Sequence, residues 1–333
     1  MSATLRDVAL EAGVSIRTVS RVVNNRAEIA QSTRQRVLIA INKLDYRPNS
    51  LARSLVSGKT RSIAVVIPQI TDPFYPEFVQ GVESVARVEE YHVFLSNTDD
   101  DPIQEYRALE ALAGKQVEGV ILCGTRLNHE QLVRANALHN LVVVTDRPPR
   151  EIPSIHVQEE EGLTAITTHL LQLGHRAIAH IARPQYSRSS RQVGYQRALE
   201  SAGVPVEQWL VESIPVADIE NGRCAATALL THTPQLTAIT CYNDLVAIGA
   251  IQACRTLGRR VPDDIAVVGF DDIALAELVS PALTTVHVDR HQLGKMASEL
   301  LLQRMDDPTD HMPPWQLATT LVIRDSCGAT LTV

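Results

Sequence analysis

Two regimes of hydrophobic spacing divide the chain. Over the first sixty residues apolar positions recur at helical intervals: Val8, Ala9 and Ala12, then Val19, Val22 and Val23, then Val37, Ile41 and Leu44. Each set fits one face of a short amphipathic helix. Thr4-x-x-Asp7 opens the first as a capping box with Asp in place of Glu, and Gly13 ends it, since a left-handed backbone costs least without a Cβ. Ser15 caps the second helix, and a turn around residues 24–29 leads to the third. Two short helices joined by a Gly-containing turn and braced by a third predict a helix-turn-helix. From residue 61 continuous apolar runs alternate with amphipathic stretches. Residues 62–67, 93–96, 119–123 and 141–145 read as parallel strands, with helices around 76–90, 102–114 and 129–138 between them. The scheme repeats with strands at 177–182, 209–212, 238–241 and 265–269 and helices around 190–202, 220–231, 245–257 and 290–305. The expected fold class is therefore α/β: an all-α helix-turn-helix head followed by two doubly wound parallel-sheet subdomains.

Composition narrows the class. The chain has 333 residues, 45% of them hydrophobic, which excludes wholesale disorder. No apolar run approaches the roughly 18 to 20 residues of a membrane helix. The N-terminal stretch is charged and has no apolar core, so no secretory signal and a cytoplasmic location are expected. Cys123, Cys224, Cys241, Cys254 and Cys327 are scattered and odd in number, and read as reduced thiols, mostly in the core. The net charge of −7 hides an asymmetry. Residues 1–60 carry ten Lys/Arg and four Asp/Glu, whereas the rest carries 21 against 34. A basic head on an acidic body fits a head that meets a polyanion.

In a helix-turn-helix the second helix faces the major groove, here exposing Ile16, Arg17, Ser20 and Arg21. Arg17 and Arg21 can each pair with guanine O6 and N7, at about 1–3 kcal/mol of base discrimination. Ser15, Thr18, Asn24 and Thr33 are short polar groups at helix starts or turns, suited to phosphate oxygens. In the body, ligands of open parallel sheets bind beyond the carboxyl ends of the strands, and two facing units make a cleft. The residues expected there are Phe74, Tyr75, Asp146, Ser187, Arg191, Asn243 and Asp271, a set of carboxylates, an amide, an arginine and aromatic rings suited to a polyhydroxylated or heterocyclic ligand. Asp271 and Asp272 can equally well cap the following helix.

Other chemistry fails on spacing. Ser57-Gly-Lys-Thr60 mimics the end of a P-loop, but Arg53 occupies the place of its first glycine. No G-x-G-x-x-G follows the first strand, so a nicotinamide-dependent dehydrogenase is disfavoured. His287 and His291 are four apart, yet residues 284–288 read as strand. No paired C-x-x-C, H-E-x-x-H or G-x-S-x-G occurs, so neither a metal, a cofactor nor an enzyme activity is expected. A sugar-binding transport receptor shares the two-lobed body, but the basic head argues against it.

Thr4-Leu-Arg-Asp-Val-Ala9, Gly13-Val-Ser-x-x-Thr18-Val-Ser-Arg-Val-Val-Asn24, Leu44-x-Tyr46-x-Pro48-Asn49 and Ala52-x-x-Leu55 resemble the headpiece of the lac repressor/purine repressor family of bacterial transcription regulators. Asp72-Pro-Phe-Tyr75, Arg191-x-x-Gly194-Tyr195, Asn243-Asp-x-x-Ala-x-Gly249 and Val268-Gly-Phe-Asp-Asp272 resemble its effector domain. The resemblance implies a helix-turn-helix domain over 1–47, a hinge helix and linker over 48–60, and an effector-binding and dimerisation domain over 61–333. The first subdomain would span about 61–158 plus 288–318, the second about 159–287 plus 319–333, like a periplasmic binding protein. It also places Leu5, Asn49, Ala52 and Leu55 at DNA, with Leu55 wedged into the minor groove, where unstacking one step permits a bend. The implied partners are a palindromic operator, a second copy of the chain, and an effector such as a sugar, sugar acid, sugar phosphate or purine. The cytoplasmic regulator would sit on the nucleoid when bound to DNA. Two departures from the family pattern stand out: Ala30 replaces a Ser or Thr cap, and Ala217 replaces an aromatic. Arg183 or Arg126, if turned into the cleft, would favour an anionic effector.

Overall fold

The computed structural model describes residues 3–23, 29–46, 59–145, 149, 151–183, 189–207, 210–307 and 312–329. It divides into two compact units, Met1–Thr60 and Arg61–Val333.

The first unit contains α1 (Leu5–Ala12), α2 (Ile16–Val23) and α3 (Gln31–Lys43). The Thr4 hydroxyl accepts from the Asp7 amide while the Asp7 carboxylate accepts from the Thr4 amide at 2.8 Å, closing the expected capping box. Gly13 ends α1 with φ at +62°. The Ser15 hydroxyl accepts from the Thr18 amide at 3.1 Å, fixing the start of α2. The apolar faces meet in a small core of Val8, Ala9, Ala12, Val19, Val22, Val37, Ala40 and Tyr46. Ala30 precedes α3 and offers it no side-chain cap.

The second unit is built on two parallel sheets. Its first half runs β1 (Ser62–Ile67), α4 (Phe74–Val88), β2 (His92–Asn97), α5 (Pro102–Gly114), β3 (Gly119–Cys123), α6 (His129–Leu138), β4 (Leu141–Val144) and β5 (Ser154–Val157). Then come α7 (Glu159–Gln172), β6 (Ile178–Ala182), α8 (Ser190–Ser201), β7 (Val211–Ser213), α9 (Ile219–His232), β8 (Ala238–Cys241), α10 (Asp244–Thr256) and β9 (Ala266–Val268). The chain ends with α11 (Leu275–Leu278), β10 (Thr285–His287), α12 (Arg290–Asp306), β11 (Trp315–Leu317) and β12 (Thr320–Val322). The larger sheet has the order β11-β5-β4-β3-β1-β2 and the smaller β7-β6-β8-β9, while β10 and β12 pair antiparallel as a two-stranded sheet of their own. The strands at the centre, β1, β3 and β4, are apolar almost throughout because helices cover both faces.

Sequence and structure differ in instructive places. The helix expected at 76–90 begins two residues earlier, because the Asp72 carboxylate accepts from the Phe74 amide at 2.9 Å and starts the turn there. The strand expected at 209–212 is Val211–Ser213, and Trp209 lies outside the described residues. Neither β5 nor α7 stood out from periodicity: β5 is four residues long, and α7 opens on Glu159-Glu160-Glu161, so its apolar face begins late. The two sheets are also not the simple tandem that periodicity alone predicts. The chain returns to the larger sheet after completing the smaller one, with α12 packed on α4 and β11 paired to β5. The α4–α12 crossing is backbone-close. A Cβ at Gly81 would collide with the His291 carbonyl and one at Gly294 with the Phe78 carbonyl.

Candidate functional site

The exposed face of α2 is the first candidate. Ile16 and Arg17 are exposed in its first turn, while Ser20 and Arg21 are half-buried further along. Thr18 exchanges a 2.9 Å hydroxyl hydrogen bond with Ser15, so these two hydroxyls stand together at the helix start. Thr33 lies in the first turn of α3, and Leu5, at the start of α1, packs against the head core. The expected contacts Asn24, Asn49, Ala52 and Leu55 lie outside the described residues.

The second candidate is a cavity at the carboxyl ends of the strands of both sheets. From the first half Asp72, Phe74 and Tyr75 reach it at the start of α4; from the second, Arg191, Asn243 and Asp271. These five expected residues (Phe74, Tyr75, Arg191, Asn243, Asp271) thus share one space, whereas Asp146 and Ser187 lie outside the described residues. Each is positioned by a local cause. Ser189 caps α8, which puts Arg191 in its first turn. Asn243 caps α10 by accepting from the Val246 amide at 3.0 Å. Asp271 follows β9 with φ at +100°, and its backbone bridges to His287. Asp272 does not cap a helix: it pairs with His287 Nδ1 at 2.9 Å and Arg324 at 2.8 Å.

Arg191 organises the centre. Its guanidinium donates to Glu159 Oε1 at 2.8 Å, to Asp271 Oδ1 at 3.3 Å and to the Tyr242 carbonyl at 2.5 Å. The Tyr242 and Phe270 rings flank it at 4.5 and 4.0 Å, so the cation is held between two aromatic faces. The neighbouring carboxylates hold Arg191 fully charged, its pKa above the usual arginine value despite burial. Burial pushes the Asp271 carboxyl up to about 6, against the pull of Arg191. Burial likewise raises Asp72, against the hydrogen bond from the Phe74 amide, and keeps the Tyr75 hydroxyl protonated. The arrangement offers fixed acceptors, an amide and ring faces, the equipment for holding hydroxyl-rich or planar molecules.

The lining also includes Asp72, Glu159, Arg183 and Tyr242, of which the sequence singles out only Arg183, as a conditional cleft cation. Tyr242 directly precedes Asn243 at the end of β8, and that adjacency was the available signal. Glu159 was hidden with the unrecognised α7. Ala217 does line the cavity as a small residue, with its carbonyl accepting from Asn243. Arg183 lines the cavity whereas Arg126 does not, and both donate to the single carboxylate of Asp100. Among the described residues no group of three or more His, Cys, Asp and Glu side chains is placed to hold a metal ion. Nor is any described helix long and apolar enough to cross a membrane.

Residues 4–49 match the profile of bacterial regulatory proteins of the lacI family, and residues 167–327 that of a periplasmic binding protein-like domain. The ribose operon repressor of Halalkalibacterium halodurans is 36% identical over 328 residues, covering 97% of this chain and 96% of that protein. The chain belongs to the lacI family. The PurR repressor of Photobacterium profundum is 33% identical over 330 residues, 97% of this chain and 98% of that one. A structure of the lac repressor dimer bound to operator and an anti-inducer matches with a TM-score of 0.89 at 28% identity, covering 99% and 100% of the two chains. As a lacI-family protein the chain is a DNA-binding transcriptional regulator with a helix-turn-helix head and a two-subdomain body, and not an enzyme.

Proposed function

We propose that this lacI-family regulator represses transcription as a homodimer on a palindromic operator, and that a sugar bound between the two sheets controls its hold on DNA. The carrying observation is the cavity itself: one space lined from both sheets, with Arg191 locked among Glu159, Asp271 and two aromatic rings. Ile16, Arg17, Ser20 and Arg21 read bases, and Leu5, Ser15, Thr18, Asn24 and Thr33 hold the head against the backbone. Residues 48–60 form the hinge and linker, with Asn49, Ala52 and Leu55 in the minor groove. One head reads a half-site weakly, and two on a palindrome multiply the affinity through effective concentration. Phe74, Tyr75, Asp146, Ser187, Arg191, Asn243 and Asp271 contact the effector.

The effector acts by closing the two subdomains (61–158 with 288–318, and 159–287 with 319–333) about their crossovers, which changes the spacing of the hinge segments in the dimer. A neutral sugar is favoured over a sugar acid or phosphate, since the lining sets three carboxylates, Asp72, Glu159 and Asp271, against two cations, Arg183 and Arg191. The relative named ribose operon repressor supports a sugar, with a purine as second choice. The protein works in the bacterial cytoplasm and on the nucleoid when bound.

Two measurements test the reading. Binding to a duplex carrying a palindrome with a central CpG should fall steeply with salt; no salt-sensitive binding in any ligand state would favour a transport receptor. A thermal-shift screen of D-ribose and other sugars, sugar acids, sugar phosphates and purines should give a shift, since a ligand at 100 times its Kd adds about 2.7 kcal/mol. A shift with purines alone would replace the sugar.

A further inference from the structure

Arg183 follows β6 of the smaller sheet, and Asp100 follows β2 of the larger one. Yet Arg183 Nη2 donates to Asp100 Oδ2, and the same oxygen accepts from Arg126 Nη1 at 3.0 Å. Arg126 comes from the loop after β3, in the sheet that contains β2. One carboxylate of the first lobe therefore holds a cation from each lobe. The three side chains are largely withdrawn from water, with exposures of 13% for Arg183, 14% for Asp100 and 24% for Arg126.

A second polar crossing lies at Arg290, which holds Glu77 and the Asp271 carbonyl. That crossing sits where the chain itself passes between the lobes, so covalent connection already joins them. Arg183 and Asp100 are far in sequence from every crossover, and Arg183 lines the cavity. Between these two residues the ion pair is what ties one lobe to the other.

We infer that Arg183, Asp100 and Arg126 form a clasp that holds the two lobes together without a ligand and sets how far the empty cleft opens. A shielded pair of this kind is screened by salt less than a surface pair. Removing Asp100 leaves two guanidinium groups facing each other without a counter-charge, so its loss drives the lobes apart. Any ligand that prefers the closed form then binds in proportion to the closed fraction. That last consequence rests on the effector reading above; the clasp does not.

The test uses the full-length, ligand-free protein with one spin label on Cys224, exposed on α9, and one at Glu110→Cys, exposed on α5. The clasped protein should give a short inter-label distance. Asp100→Asn and Arg183→Ala should each raise the long-distance fraction by roughly threefold or more, and Arg183→Lys, which keeps the charge, by less. Identical distance distributions in the clasped protein and in Arg183→Ala would overturn the clasp, and that variant alone suffices if Asp100→Asn does not fold. Operator binding measured on the same samples separates the two readings. Opening without binding to the palindromic duplex would leave the clasp and remove the proposed operator, whereas duplex binding with no opening would do the reverse.

Discussion

Arg191 lines the cavity and ties its walls together at once. Its charge is balanced by Glu159 and Asp271, and deleting it would strand both carboxylates in a buried setting, at about 3–5 kcal/mol. Asp271→Asn is the gentler probe, because it keeps the shape and removes one charge. It should abolish the effector response while leaving basal operator binding intact, as read by effector titration of a DNA-binding assay. Arg17, exposed on α2, acts in the head: Arg17→Ala should relax discrimination at one operator position by about 1–3 kcal/mol. A competition series over single-base operator variants checks this, and a uniform loss would place Arg17 on phosphate. His180 supplies a pH signature. It is wholly buried, stacked on Tyr195 at a centroid distance of 5.1 Å and bonded to Thr240, and burial lowers its pKa to about 4. The folded ring stays neutral where the unfolded one, near 6.5, would charge. Its contribution is thus complete above pH 6.5 and lost as pH falls through 4, in total about 3 kcal/mol. The drop in Tm between pH 7 and pH 4 should be smaller in His180→Leu than in the parent. At this scale the convergence of Arg191, Asn243 and Asp271 on one cavity was legible because each sits in a marked sequence motif, Asn243 and Asp271 just after strands and Arg191 in the first turn of α8. Tyr242 was not, because a tyrosine beside a core strand usually packs.

Elements with a regular apolar period and a cap were readable: α1 through its capping box and Gly13, β1 and β3 through unbroken apolar runs. Short elements defined by distant partners were not. Strand β5 exists because β4 and β11 flank it, and β11 itself is a three-residue segment whose partner lies far upstream in the sequence. Helix α3 offers a test at this scale. Ala30 gives its first turn no side-chain acceptor. Ala30→Ser should stabilise α3 by about 0.5–1 kcal/mol, seen as slower hydrogen exchange of its amides in the full chain, with operator affinity unchanged at saturating head stability.

The whole molecule is split by charge in the same place as by contact: the basic residues 1–60 form one unit and the acidic remainder the other. Composition and periodicity sufficed for that division. The pairing of β11 with β5 depends on contacts across most of the body and carries no local sequence signal. If effector and operator are coupled through the body, their coupling must be reciprocal, commonly about 1–3 kcal/mol. Effector affinity measured with and without operator should differ by the same factor as operator affinity measured with and without effector. The return of the chain to its larger sheet has a further consequence, in the order of synthesis. A growing polypeptide makes the head first, then five strands whose outer member, β5, waits with an unpaired edge until Trp315–Leu317 is made. Until then, translation leaves an adhesive flank open to neighbouring nascent chains, so pausing before that point invites aggregation and a stop codon there would make it permanent.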